Sequence, residues 1–107
     1  MAREVLGCVG MQNSARASAS ETFRELPRLH GDVSTDAETI REHSFDWSAL
    51  KVVPKMVVFP KSSDDVQRLV TYVKENKAND PTLSITCRSA GTDVTGGALN
   101  ESIIFDF

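Results

Sequence analysis

Four consecutive apolar residues, Met56-Val57-Val58-Phe59, stand between Pro54 and Pro60 and constrain this chain more than any other feature. A run this short, rich in β-branched residues and fenced by prolines, reads as a buried strand rather than a helix. The clearest helical pattern follows at once. Ser62 or Ser63 can cap it, and Asp64 and Asp65 fall in the first turn, where the helix dipole favours acids. Val66, Leu69, Val70 and Val73 recur at i, i+3, i+4 and i+7, which makes one apolar stripe. Asp64 and Arg68 are four apart with the acid first, the favourable order, and Lys74 and Lys77 fall near the helix end. Leu83-Ser84-Ile85-Thr86-Cys87 then alternates apolar with polar, as a half-buried strand does. Ser102-Ile103-Ile104-Phe105-Asp106-Phe107 reads as a third strand. Strand, helix and strand at this spacing predict an α/β chain (α+β in the looser sense) built on a small parallel βαβ unit, right-handed if its two strands are neighbours.

Upstream, the signals are weaker. Residues 1–19 are poor in large apolar side chains after Met11 and read as a flexible leader. Ser18-x-x-Glu21 and Thr35-x-x-Glu38 are capping signals that place short helices over about residues 19–29 and 36–43. Residues 44–55 read as a loop or extended connection. Residues 20–107 then form one lobe, and the chain ends inside an apolar strand at Phe107. That ending suggests the front portion of a longer protein, because a three-stranded sheet with a thin helical cover is marginal alone. An open edge at the last strand predicts weak stability and aggregation.

Composition narrows the function classes. The 107 residues suit one small domain. Twelve Lys and Arg against fifteen Asp and Glu give a net charge of -3, which disfavours a basic nucleic-acid surface. No apolar run approaches the roughly 18 residues that a membrane helix needs. Two cysteines, Cys8 and Cys87, make neither a disulfide framework nor a zinc quartet, so reduced thiols and a cytoplasmic setting are expected. Association with a membrane surface stays open.

The chemistry sits in Arg88-Ser89-Ala90-Gly91-Thr92-Asp93-Val94-Thr95-Gly96-Gly97-Ala98, directly after a strand. Its glycines allow positive φ and close backbone approach, and successive amides in such a turn can cradle an anion. Ser89, Thr92 and Thr95 offer hydroxyls and Arg88 a positive charge, the groups that a pyrophosphate requires. Gly91-x-x-x-x-Gly96 begins like a P-loop, but Gly97 and Ala98 stand where Lys and Ser/Thr are needed. The G-x-G-x-x-G pattern of dinucleotide folds is absent, and this loop leads to a strand. A plain glycine-rich connection between strands explains the composition equally well.

Several pieces together resemble the FAD-linked oxidases and dehydrogenases of the vanillyl-alcohol oxidase superfamily, with its PCMH-type FAD-binding domain, and the glycolate oxidase and D-lactate dehydrogenase subset in particular. They are Pro54-x-x-Val57-Val58-Phe59-Pro60-x-Ser62, Asp65-Val66-Gln67-x-Leu69-Val70, Arg88-x-x-Gly91-Thr92-x-x-x-Gly96-Gly97 and Ile103-Ile104-Phe105-Asp106, with Asp46-Trp47-Ser48 as a lead-in. The resemblance implies the first lobe of an FAD-binding domain. Arg88, Ser89, Ala90, Gly91, Thr92 and Asp93 would follow the cofactor phosphates, and Thr95, Gly96 and Gly97 would complete the turn. Thr92 stands where some relatives attach flavin through a His, so non-covalent FAD is implied. It further implies a flavin-dependent oxidoreductase acting on a 2-hydroxy acid such as D-lactate or glycolate. Another domain would supply the catalytic residues, and the present chain would be inactive alone. The alternative is a stand-alone nucleotide- or phosphate-binding module without redox activity.

Two departures bear on the loop. Ser89 and Ala90 carry a Cβ where many relatives have Gly, which disfavours positive φ there. Asp93 would oppose phosphate unless it turns away or caps loop amides. Elsewhere, His30 and His43 read as surface histidines with no metal-ligand spacing, and His43 with Asp46 as a local polar contact. Phe45 and Trp47 are expected to pack on the core or on a further lobe, and Cys87 to be a buried strand residue.

Overall fold

The computed structural model describes residues 26–107. The leader, the Ser18 capping signal and Cys8 lie outside them. Strand β1 spans Asp32–Ser34, helix α1 Ala37–Glu42, β2 Met56–Phe59, helix α2 Ser63–Asn76, β3 Ile85–Arg88 and β4 Ile103–Asp106. The four strands form one mixed sheet in the order β1-β2-β4-β3. β2, β4 and β3 run parallel, with Met56 opposite Ile103 and Ile103 opposite Ile85, and β1 closes one edge antiparallel to β2. The α/β class and the parallel strands read from the sequence are therefore present.

The two strands of the expected βαβ unit are parallel but are not neighbours, because β4 lies between them. The side chains explain the order. Ile103, Ile104 and Phe105 are all buried, which suits a strand covered on both faces. β3 alternates with polar Thr86 and an exposed Cys87, which suits an edge. The terminal strand thus occupies the interior of the sheet, not the open edge expected for it. Cys87 is likewise exposed rather than buried.

Met56, Val58, Leu69, Tyr72, Leu83, Ile103 and Phe105 make the core between α2 and one face of the sheet. Each fully buried aliphatic or aromatic side chain there contributes about 1.5–3 kcal/mol. Val57 and Ile104 point to the opposite face, by strand alternation, and are also fully buried. α2 begins as the sequence suggests. Ser62 is the N-cap and accepts from the Asp65 amide, while Arg68 Nε pairs with Asp64 Oδ2 at 2.9 Å. Its apolar stripe packs as expected at Val66, Leu69 and Val73, but Tyr72 is buried where Val70 was expected, and Val70 is half exposed.

The upstream expectations change more. Residues 26–29 are not helical; Leu26 and Leu29 pack against the core, and β1 follows where no strand was expected. α1 is capped by Asp36 rather than Thr35, since the Asp36 carboxylate accepts from the amides of Glu38 and Thr39. A buried acid anchors this region. Asp65 accepts from the amides of His30, Gly31 and Lys61 at 2.7, 2.8 and 2.9 Å. Those three bonds, that from Lys61 foremost, hold its carboxyl below the ordinary aspartate value against the opposing effect of burial.

Candidate functional site

The glycine-rich loop leaves the C-terminal end of β3, the end of a parallel sheet where ligands gather in open α/β folds. Gly91 and Gly96 have φ of +71° and +85°, and among the described residues only these two adopt positive φ. Ser89 and Ala90 therefore keep ordinary backbone despite their Cβ atoms. Ser89, Ala90, Thr92, Asp93, Thr95 and Gly97 are exposed, Arg88 and Gly96 are half-buried, and Gly91 is buried.

Asp93 shapes the second half of the loop. Its Oδ1 accepts from the Thr95 amide at 2.7 Å and from the Thr95 hydroxyl at 2.6 Å. These bonds, with a further one from the Gly97 amide, hold the carboxyl below its ordinary value. Asp93 thus caps loop amides, one of the two arrangements that reconcile it with a neighbouring phosphate. The cost is that the amide and hydroxyl of Thr95 are engaged internally. The amides of Gly91, Thr92 and Gly96 are different: among the described residues, none accepts a hydrogen bond from them, nor from the hydroxyls of Ser89 and Thr92. Amide and hydroxyl donors on one turn are the donor set an anion needs, so the residues present fit a diphosphate.

The seat of the loop is the segment 43–50, which the sequence left as a plain connection. Arg88 donates from Nη2 to Phe45 O at 2.7 Å and from Nη1 to His43 O at 3.4 Å. The Trp47 amide donates to Asp93 O at 3.0 Å. A Cβ built on Gly96 would lie 2.7 Å from Leu50 Cδ1, so Leu50 packs directly beneath that glycine. Asp46 Oδ1 accepts from the amide and hydroxyl of Ser48, while Oδ2 is buried and has no partner among the described residues. The Ser48 hydroxyl foremost, with a lesser contribution from the Arg88 charge, lowers the Asp46 pKa.

His43 is the clearest omission of the sequence reading. It is buried, not on the surface. It pairs with Asp106 and not with Asp46: Nε2 lies 2.7 Å from Asp106 Oδ2, at the C-terminal end of β4. Nδ1 donates to Thr39 O at 2.8 Å, and the ring meets Phe59 edge-on. No local spacing could have shown a pair 63 residues apart. His30 is exposed, as expected of a surface histidine. Phe45 and Trp47 are exposed on this same segment, so among the described residues they do not enter the core. Among the described residues, no group of three or more His, Cys, Asp or Glu side chains is placed to hold a metal ion.

No protein-family model matches the chain. Three curated proteins do, and each is named D-2-hydroxyglutarate dehydrogenase. The chain is 32% identical over 78 residues to the Pseudomonas putida protein, a match covering 73% of this chain and 8% of that one. It is 34% identical over 76 residues to the Escherichia coli protein, covering 71% and 7%. It is 27% identical over 82 residues to the Haemophilus influenzae protein, covering 77% and 8%. The chain therefore spans less than a tenth of the length of these relatives, and across most of its own length it is similar to one stretch of a 2-hydroxy acid dehydrogenase.

Proposed function

We propose that this chain is the part of a flavin-dependent 2-hydroxy acid dehydrogenase that holds the FAD diphosphate. The observation that carries the reading is the turn at Gly91, Thr92 and Gly96, whose amides have no acceptor among the described residues. Its place at the C-terminal end of β3 supports it, as does similarity to proteins named as dehydrogenases of a 2-hydroxy acid. Residues 20–107 are then the first lobe of an FAD-binding domain. The amides of Gly91, Thr92 and Gly96 and the hydroxyls of Ser89 and Thr92 bind the phosphates. Ala90 lends only backbone, Asp93 and Thr95 brace the turn, and Gly97 leaves room for the Asp93 carboxylate, which a Cβ would meet at 2.6 Å. FAD would supply the hydride acceptor when bound, held without a covalent link. The substrate clamp and the base belong to residues beyond these. Among the described residues no helix is long and apolar enough to cross a membrane.

Calorimetric titration of the chain with FAD, ADP and pyrophosphate tests this. The expected result is binding of FAD and ADP, and a loss of about tenfold or more in both for Gly96→Val, where φ of +85° strains a β-branched residue. Circular dichroism at the helix band checks that the variant remains folded. Equal affinity for all three ligands with no change in the flavin spectrum would favour a phosphate-binding module without redox activity. No binding of any of them would refute the reading.

A further inference from the structure

We infer that Arg88 is a positioning residue of the diphosphate turn and not one of its anion ligands, an inference that rests on the reading above. The guanidinium is committed elsewhere. Its two terminal nitrogens donate to the carbonyls of Phe45 and His43. Its charge acts on the Asp46 carboxylate. Its flank lies against Gly91, where a Cβ would come within 2.3 Å of Nη2, 2.8 Å of Cζ and 3.0 Å of Nε. The positive φ of Gly91 and the planar fork of Arg88 therefore occupy one space. His43, which supplies one of those carbonyls, is itself anchored, because its ring is tied to Thr39 O and to Asp106. Asp106 stands opposite Arg88 in the β3–β4 register, so the network closes on itself at the ends of two adjacent strands.

A fork that bridges two carbonyls and backs a glycine is geometry that only arginine supplies, since lysine is a point charge on a flexible stem. A direct phosphate ligand would behave otherwise, because there the charge is what counts and lysine retains it. The two roles separate under substitution and under salt.

The test compares the wild-type chain with Arg88→Lys and Arg88→Met. Amide hydrogen exchange by mass spectrometry reads residues 43–50 and 89–97, and exchange in α2 confirms the fold. ADP affinity is measured at several salt concentrations. The expected result is that both variants exchange about tenfold faster in the two segments, with α2 unchanged, as loss of a charge-assisted fork implies. Both should also bind ADP about tenfold more weakly, with the salt dependence of the wild type. Wild-type affinity in Arg88→Lys with loss in Arg88→Met and a flatter salt dependence would overturn the inference and make Arg88 an anion ligand. Unchanged exchange in both variants would overturn it as well. A wild-type chain that ignores ADP refutes the diphosphate reading itself, and the exchange measurement then judges the Arg88 seat separately.

Discussion

At the scale of single residues, Asp65 does more than complement a helix dipole. It lies in the first turn of α2, yet its carboxylate gathers amides from residues 30, 31 and 61 and so fastens the lead-in to β1 against the helix. The acidic first turn was legible from sequence; the amides it serves were not, because two of them come from more than thirty residues away. The folded carboxyl titrates below the ordinary 3.8 of the unfolded chain. Its contribution is therefore fully present above that value and is lost as pH falls through the lower, folded pKa. Asp65→Asn should lower the melting temperature by about 10 °C at neutral pH. The difference from wild type should shrink on acidification, as the wild-type carboxyl takes up its proton. Thermal melts across an acid series check this, and a difference that does not vary with pH would contradict it.

Among the elements, α2 was the most legible, and its packing face departs from the expected stripe at one position, Val70. Caps, acids, ion pair and length all follow from local rules, and Ser62, Asp64 and Arg68 obey them. The buried side is set by the sheet beneath, which takes Leu69 and Tyr72 and leaves Val70 half exposed. Tyr72 completes the face where an aliphatic-only stripe had placed Val70. Leu69→Ala should destabilise the chain by about 2–5 kcal/mol, and Val70→Ala by no more than about 0.5 kcal/mol. Urea unfolding measures both, and comparable losses would mean that the helix is rotated from the face described. β1 escaped the sequence reading for a related reason. Three residues, Asp32, Val33 and Ser34, carry too little pattern to declare a strand, and they become one by pairing with the edge of β2.

For the molecule as a whole, sequence pattern gave the parallel strands and the loop after β3, but not the strand order. Order depends on which strand can be covered on both faces, and only the packed sheet shows that Ile103, Ile104 and Phe105 win the central place over β3. The consequence is local geometry. With β4 inside, Asp106 and Arg88 stand side by side at one end of the sheet, and the segment 43–50 folds across them as a seat for the glycine turn. The loop was visible as a motif; its seat was not, since its hydrogen bonds join residues more than forty apart. The claim on which the functional reading turns is that this seat leaves the amides of Gly91, Thr92 and Gly96 facing a ligand. Amide chemical shifts of the 15N-labelled chain during titration with ADP test it most directly. The account predicts that the largest changes fall on Gly91, Thr92 and Gly96, with the core strands unmoved. Those three resonances standing still at saturating ADP, or the changes gathering along α2 instead, would contradict it.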